Sequence, residues 1–179
     1  MVDAKGCRLG VFIEDLDCWV RRSGREPSVL NRVRTFLLTP GLHFIAAHRL
    51  VGLVRKVPII GRPLSSITWV LTCNIFRCEV ALGTQLGPAA YIPHPYGIVV
   101  GDATIGRNVT ILQNVTIGTA SRSRRDTPII GDDVFIGAGA VIIGAVKIGP
   151  GASIGANAVV VKDVPAGASA IGVPARVKE

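Results

Sequence analysis

The chain has 179 residues, 49% of them hydrophobic, enough for one compact unit or a main domain with a small appendage. Aromatics make up only 5% while glycines number 21, so Ile, Val, Leu and Ala must fill the core, which favours a regular stacked architecture. A net charge of +8 suits nucleic acid, an anionic membrane surface or a phosphorylated small molecule, but zinc-finger spacing and aromatic–basic interleaving are both missing, which argues against nucleic acid.

The charge is concentrated in residues 1–79, which carry 12 Lys/Arg against 6 Asp/Glu; residues 80–179 carry 8 against 6. Helices are expected over Gly10–Arg22, Ser28–Leu38 and Leu42–Lys56, broken at Gly24, Pro40–Gly41 and Pro58, with Pro27 suiting a first helical position. A fourth helix is expected within Val57–Arg77, starting at Pro63. Gly61, Arg62 and Pro63 interrupt the apolar run from Val57 to Phe76, so it reads as a buried or interfacial helix rather than a membrane span. A basic, apolar cap of this kind is expected to permit peripheral membrane association. Cys7, Cys18, Cys73 and Cys78 form no CxxC pair and no metal-ligand spacing with His. With no apolar run in Met1–Gly10, they read as reduced thiols of a cytoplasmic protein.

From residue 80 the pattern changes. Ile, Val or Leu recurs every six residues: Val80, Leu86 and Ile92; Val99, Ile105, Ile111 and Ile117; then Ile130, Ile136, Ile142, Ile148, Ile154 and Val160. Neither a helix nor a simple alternating strand has this period. A triangular coil does: three short strands per turn, each pointing one aliphatic inward, stack into a continuous column. Gly137, Gly149 and Gly155 are expected at corners, where bends are tight and φ unusual. The 92-to-99 step is one residue too long. The 117-to-130 step contains a polar excursion, TASRSRRDTP, between Gly118 and Ile129. The fold expected is mainly β, a left-handed parallel β-helix over 80–179 behind a small N-terminal α-helical cap over 1–79. The repeat resembles that of hexapeptide acyltransferases.

Several segments narrow the resemblance. PGLHFIAAHR (Pro40–Arg49), HPYGIVVGDATIG (His94–Gly106), NVTIG (Asn114–Gly118) and the run from Ile136 to Arg176 are similar to serine acetyltransferases. The likeness spans about residues 25–176 and implies O-acetyl transfer from acetyl-CoA. By this resemblance His94 takes the proton of the acceptor hydroxyl, and Glu79 replaces the Asp that supports it. Glu26, in Arg25-Glu26-Pro27, replaces an Asp that helps hold the acceptor. Two departures bear on the acceptor. Pro93 stands where Asp precedes the catalytic His, and Arg125-Asp126-Thr127-Pro128 stands where the family has Asp-Arg-His-Pro. The second change removes the residues that hold an amino-acid acceptor, unless Arg124 or Arg125 substitutes.

The acceptor expected is therefore a sugar hydroxyl of a surface polysaccharide or its precursor, held by Glu26, Tyr96 and Thr127. The alternatives are serine O-acetyl transfer in cysteine biosynthesis and a non-catalytic β-helix scaffold. For acetyl-CoA the resemblance points to Ala138 and Ala156, one eighteen-residue coil apart, with Thr119 one coil earlier; by their charge Lys162, Arg176 and Lys178 are expected to attract the phosphates. The resemblance also implies a homotrimer with sites between subunits.

The chemistry suits these residue types. An alcohol is a poor nucleophile at neutral pH, and imidazole, with a pKa of about 6.5, is placed to deprotonate it. A carboxylate on the other ring nitrogen fixes the tautomer, and fifteen residues from Glu79 to His94 is close to one coil. The competing reading makes His94 a turn residue between Pro93 and Pro95. His43 and His48 lie on different faces of a helix, and Arg49 is expected to pack or pair with the first coil. No metal is expected, because the coils hold only one His.

Overall fold

The six-residue period becomes three parallel sheets. The computed structural model describes residues 8–120 and 126–178. Sheet A contains β1 (Glu79–Val80), β3 (Val99–Val100), β6 (Thr116–Gly118), β9 (Val141–Ile143) and β12 (Val159–Val160), paired in that order. Sheet B contains β2 (Gln85–Leu86), β4 (Thr104–Ile105), β7 (Ile129–Ile130) and β10 (Lys147–Ile148). Sheet C contains β5 (Thr110–Ile111), β8 (Phe135–Ile136), β11 (Ser153–Ile154) and β13 (Ser169–Ile171), and is closed by an antiparallel β14 (Arg176–Lys178). The chain visits A, B and C in turn, giving a triangular parallel β-helix.

One aliphatic per strand points inward. Ile105, Ile111, Ile117, Ile130, Ile136, Ile142, Ile148, Ile154 and Val160 are all buried in a single column. In β3 the inward residue is Val100, at 2% exposed, whereas Val99 faces outward at 44%. The expected column position is therefore off by one there: two adjacent valines fit the pattern equally, and the partners Val100 and Ile117 set the register.

Two of the three corners repeat a left-handed backbone. At the B-to-C corner Ala89, Asn108, Asp133, Gly151 and Gly167 all have positive φ; at the C-to-A corner Gly97, Asn114, Gly139 and Asn157 do. Asn, Asp and Gly tolerate this region better than other residues. At the C-to-A corner Gly and Asn alternate for a second reason. A Cβ on Gly139 would lie 2.2 Å from Asn157 Oδ1, so each asparagine amide occupies space that only a glycine above it leaves open. Gly137 works differently from expectation. Its φ is ordinary, but a Cβ would lie 2.6 Å from Ala156 N, so the next coil's backbone excludes a side chain.

Four helices precede the coil: α1 (Arg8–Arg22), α2 (Val29–Leu38), α3 (Pro40–Val54) and α4 (Gly61–Phe76). Ser28 caps α2, its hydroxyl accepting from Asn31 N (3.2 Å), so Pro27 precedes the cap instead of opening the helix. Pro40, expected to break a helix, opens α3, where its missing N–H leaves no bond unmade.

The helices share the coil's core. Trp19, Leu42, Phe44 and Ile45 join the aliphatic column in one buried cluster. Trp19 Nε1 donates to Ala90 O (3.0 Å), and Trp69 Nε1 donates to Val80 O (2.8 Å). Asp15 is fully buried and accepts from Arg49 Nε (3.0 Å) and Ala90 N (3.1 Å). Arg49 also donates to the carbonyls of Leu86 and Gly87, so it ties α1, α3 and the first coil together. Burial pushes the Asp15 carboxyl up, and Arg49 opposes that shift. His43 packs edge-on against Phe36, and burial together with Arg49 lowers His48 to about 4, leaving it neutral.

Two stability predictions follow from this packing. Gly139→Ala should destabilise the protein by at least ~1 kcal/mol more than Gly167→Ala. Both residues have φ +71, but only the first new methyl collides, since nothing lies within 4 Å of the second. Equal shifts in chemical denaturation would refute the stacking argument. Arg49→Met should cost ~3–5 kcal/mol, because it strands the Asp15 carboxylate away from water; a loss below about 1 kcal/mol in the same measurement would contradict it.

Candidate active site

The C-to-A corner is not uniform along the coil. Tyr91 bridges Thr110, which pairs with Phe135 and in turn Ser153. From these positions the chain takes four residues to reach Asn114, Gly139 and Asn157, but six to reach Gly97. The segment Pro93–Tyr96 thus holds two extra residues, where the spacing of aliphatics suggested one. Tyr96 N donates to His94 O (2.8 Å), Asn114 N donates to Tyr96 O (2.9 Å), and Gly97 N donates to Arg77 O (3.1 Å). Pro95 is buried while His94 is exposed. The turn is tied to the coils on both sides and holds the imidazole outward.

Glu79 opens β1, in register with Val99, with its side chain outward and exposed. Both residues therefore belong to neighbouring coils near one edge, as the fifteen-residue spacing suggests. No hydrogen bond or ion pair joins the two side chains within the single chain. The nearby thiols are poor nucleophiles. Burial pushes Cys78 up; burial, then the charges of Glu79 and Cys78, push Cys73 up.

Below the widened turn the edge continues as Tyr96, Gln113, Ala138 and Ala156, linked by Gly139 N to Gln113 O and Asn157 N to Ala138 O (both 2.9 Å). Ala138 and Ala156 do stack. The residue one coil earlier is Gln113, however, and not Thr119. Thr119 follows β6 in sheet A, so it belongs to the A-to-B edge, as does Lys162, which lies between β12 and the Val164 bridge to Ile148. The placing of Thr119 went astray because the excursion that follows it hides the coil length. Arg176, in β14, pairs with Ile171 and so stays at the sheet C end of the Ala156 edge.

Gln113 escaped the sequence reading, although it directly precedes a left-handed Asn. Its Oε1 is buried without a hydrogen-bond partner among the described residues. A buried acceptor left unmade costs ~1–3 kcal/mol, so Gln113 weakens this edge as it stands. A thin, amide-bearing chain such as pantetheine can pass the small Ala138 and Ala156 here.

The three expected acceptor residues are dispersed. Tyr96 shares the turn with His94 and is 57% exposed. Thr127 is half-buried on the A-to-B edge, beside Pro128, whose carbonyl accepts from Thr104 N (3.1 Å). Glu26 is exposed in the loop after α1, a helix whose Arg22 donates to Asn108 at the B-to-C corner (3.1 Å). Arg124 and Arg125 lie outside the described residues. A surface concavity of about 480 Å³ lies on sheet B beside Lys147 and Asp163, on a different face from His94. Among the described residues no three His, Cys, Asp or Glu are grouped to hold a metal ion.

Comparison with known proteins agrees with this geometry. Residues 127–162 match the family model described as bacterial transferase hexapeptide (six repeats). That match falls within the coil, on its six-residue repeat. A serine acetyltransferase of Helicobacter pylori strain J99 is 36% identical over 155 residues, covering 84% of this chain and 88% of that protein. One from Mycobacterium tuberculosis is 36% identical over 157 residues, covering 86% and 67%. Among solved structures, Neisseria gonorrhoeae serine acetyltransferase superposes with a TM-score of 0.84 at 32% identity, covering 98% of this chain and 68% of that one. The Brucella abortus enzyme in complex with coenzyme A gives 0.82 at 31% identity, covering 93% and 66%. The chain belongs to the serine acetyltransferase family of hexapeptide-repeat acyltransferases. It is an O-acetyltransferase using acetyl-CoA, and the scaffold alternative falls away.

Gln113→Leu removes an orphaned acceptor and should leave the thermal midpoint of the free protein unchanged or raised, by up to ~1 kcal/mol of stability. A clear drop in the midpoint would show that Gln113 is satisfied in the folded chain.

Proposed function

We propose that this protein transfers the acetyl group of acetyl-CoA to the hydroxyl of L-serine, with His94 as general base. The observation that carries the catalytic part is the widened, doubly anchored turn that presents His94 one coil above Glu79. The names of the relatives support serine over the sugar expected from the sequence. In the reaction the imidazole takes the hydroxyl proton as the oxygen attacks the thioester carbonyl. The C–O bond forms, the C–S bond breaks, and the proton returns to the departing thiolate sulfur. Glu79, on the neighbouring coil, supplies the carboxylate that turns to the other ring nitrogen to hold the tautomer and stabilise the imidazolium.

A sugar hydroxyl is the second reading, and one observation favours it. Asp126 and Thr127 occupy the loop positions where the family has an Arg and a His, and an acid there opposes a serine carboxylate. A neutral polyol needs no such partner, and the exposed Tyr96, in the same turn as His94, can bond its hydroxyls.

The coil is proposed to be left-handed, with residues 1–79 and 80–179 as cap and catalytic domain. We infer a homotrimer. One chain divides most of the candidate residues between two edges: His94, Tyr96, Gln113, Ala138, Ala156 and Arg176 on one, Thr119, Thr127 and Lys162 on another, with Glu26 apart in the loop after α1. Laying one copy's first edge against another's second edge unites them around acetyl-CoA. The free thiols of Cys18, Cys73 and Cys78 support a cytoplasmic setting.

CoA release with L-serine and with a panel of sugars tests the acceptor. L-serine is expected to give a kcat/KM of about 10⁴ M⁻¹s⁻¹ or more. Turnover of a sugar at least ~10-fold above serine would establish the second reading instead. With whichever substrate is turned over, His94→Ala should lower kcat by ~10²–10⁴ and leave acetyl-CoA affinity nearly unchanged. Near-normal turnover would remove His94 from its role.

A further inference from the structure

Between Pro27 and Cys78 the chain has no Asp or Glu but carries seven Arg and Lys. Two of these are used internally: Arg32 pairs with Asp17, and Arg49 with Asp15. Within this acid-free stretch α4 is inverted. Ser65 and Trp69 face the protein, Ser65 buried and Trp69 bonded to Val80 O, while Ile60, Leu64, Ile67, Leu71 and Ile75 are exposed. Their spacing of three and four residues places them in one outward stripe. Soluble helices normally bury that stripe and expose the polar one.

The turn before α4 extends the stripe. Val57 and Ile60 are exposed, and Ile59 is 97% exposed with φ +66. A β-branched side chain rarely adopts that conformation, and here it gains no packing in return. Arg55, Lys56 and Arg62 flank the turn. With His48, Leu82 and Thr84 they line a cavity of about 430 Å³. Arg55 is fixed at its rim by donating to Leu82 O (3.0 Å). An apolar tip beside a cationic pocket has the chemistry of a phospholipid interface, with acyl chains for the tip and phosphate for the pocket. No single helix among the described residues is long and apolar enough to cross a membrane, although α2 and α3, bent by 95°, are so together; the stripe and the pocket belong to one surface of the cap.

We propose that the helical cap docks on an anionic phospholipid bilayer, with the Val57–Ile60 turn and the α4 stripe entering the interface and a headgroup phosphate seated among Arg55, Lys56 and Arg62. This goes beyond the catalytic reading and does not depend on it, because Arg55, Lys56, Arg62 and the Val57–Ile60 turn are not among the residues assigned to either active-site edge.

The test is flotation of the full-length protein with vesicles of phosphatidylcholine containing phosphatidylglycerol, against phosphatidylcholine alone. The protein should float with the anionic vesicles only, and high salt should weaken the binding. Ile59→Asp and the double variant K56E/R62E should each lower the bound fraction by at least about five-fold. Asp tolerates positive φ better than Ile, so Ile59→Asp should keep its thermal midpoint. CoA release in solution should be unchanged in both variants, which separates membrane docking from catalysis. Failure to float, or flotation indifferent to both variants, overturns the proposal. So does an outcome in which Ile67→Glu instead splits a larger oligomer in sedimentation, since the stripe then covers a second copy. If inorganic phosphate raises the thermal midpoint and no vesicles are bound, the pocket is a site for a soluble anion and the proposal also fails.

Discussion

The structure depends on vertical register. Each strand is only two or three residues long, and its hydrogen bonds run to the coils above and below. A residue inserted within a strand would turn its aliphatic outward and interrupt the column. Insertions are therefore confined to corners. The chain has two of consequence: the widened turn at Pro93–Tyr96, and the excursion after Gly118, which puts 25 residues between Thr116 and Val141 where 18 separate Val141 from Val159. Both interrupt the regular coil, and both carry residues assigned to chemistry. A rigid scaffold with variation restricted to its edges is a good way to hold reacting groups in place.

The cap is bound into this scaffold. Trp19, Leu42 and Phe44 are part of the coil's own core, and the Asp15–Arg49 pair bonds three first-coil backbone groups. The first coil is the one that leads into the His94 turn, so the helices stiffen the end of the column where the base stands. The far side of the cap has the opposite character. It leaves an aliphatic stripe outward beside Arg55, Lys56 and Arg62, of which Arg55 is tied to the coil through Leu82 O. One short region thus faces the first coil with polar locks and its surroundings with apolar surface.

Much of this was legible in the sequence because the coil is periodic. The period of six identified the column, and the extra spacing around His94 marked the turn. What failed did so for local reasons. Val99 and Val100 are indistinguishable by residue type, so only strand pairing showed which one faces in. Thr119 was displaced because a long excursion erases the phase on either side of it. Gly137 is needed for clearance from Ala156 and not for φ, a contact that exists only once the coils are stacked. Gln113 looked like any polar corner residue until its buried oxygen proved to be unpaired. The acceptor was hardest to read, because its candidate ligands sit on separate edges and in the excursion. Their meeting belongs to the assembly of chains and is not written in one chain's pattern.

The central claim is that the widened C-to-A turn is where transfer occurs. A crystal structure of the protein with CoA and L-serine bound tests it most directly. The pantetheine arm should lie along Gln113, Ala138 and Ala156, with the acceptor hydroxyl about 3 Å from a ring nitrogen of His94. CoA bound on another edge, with His94 turned to solvent and touching neither molecule, would contradict it.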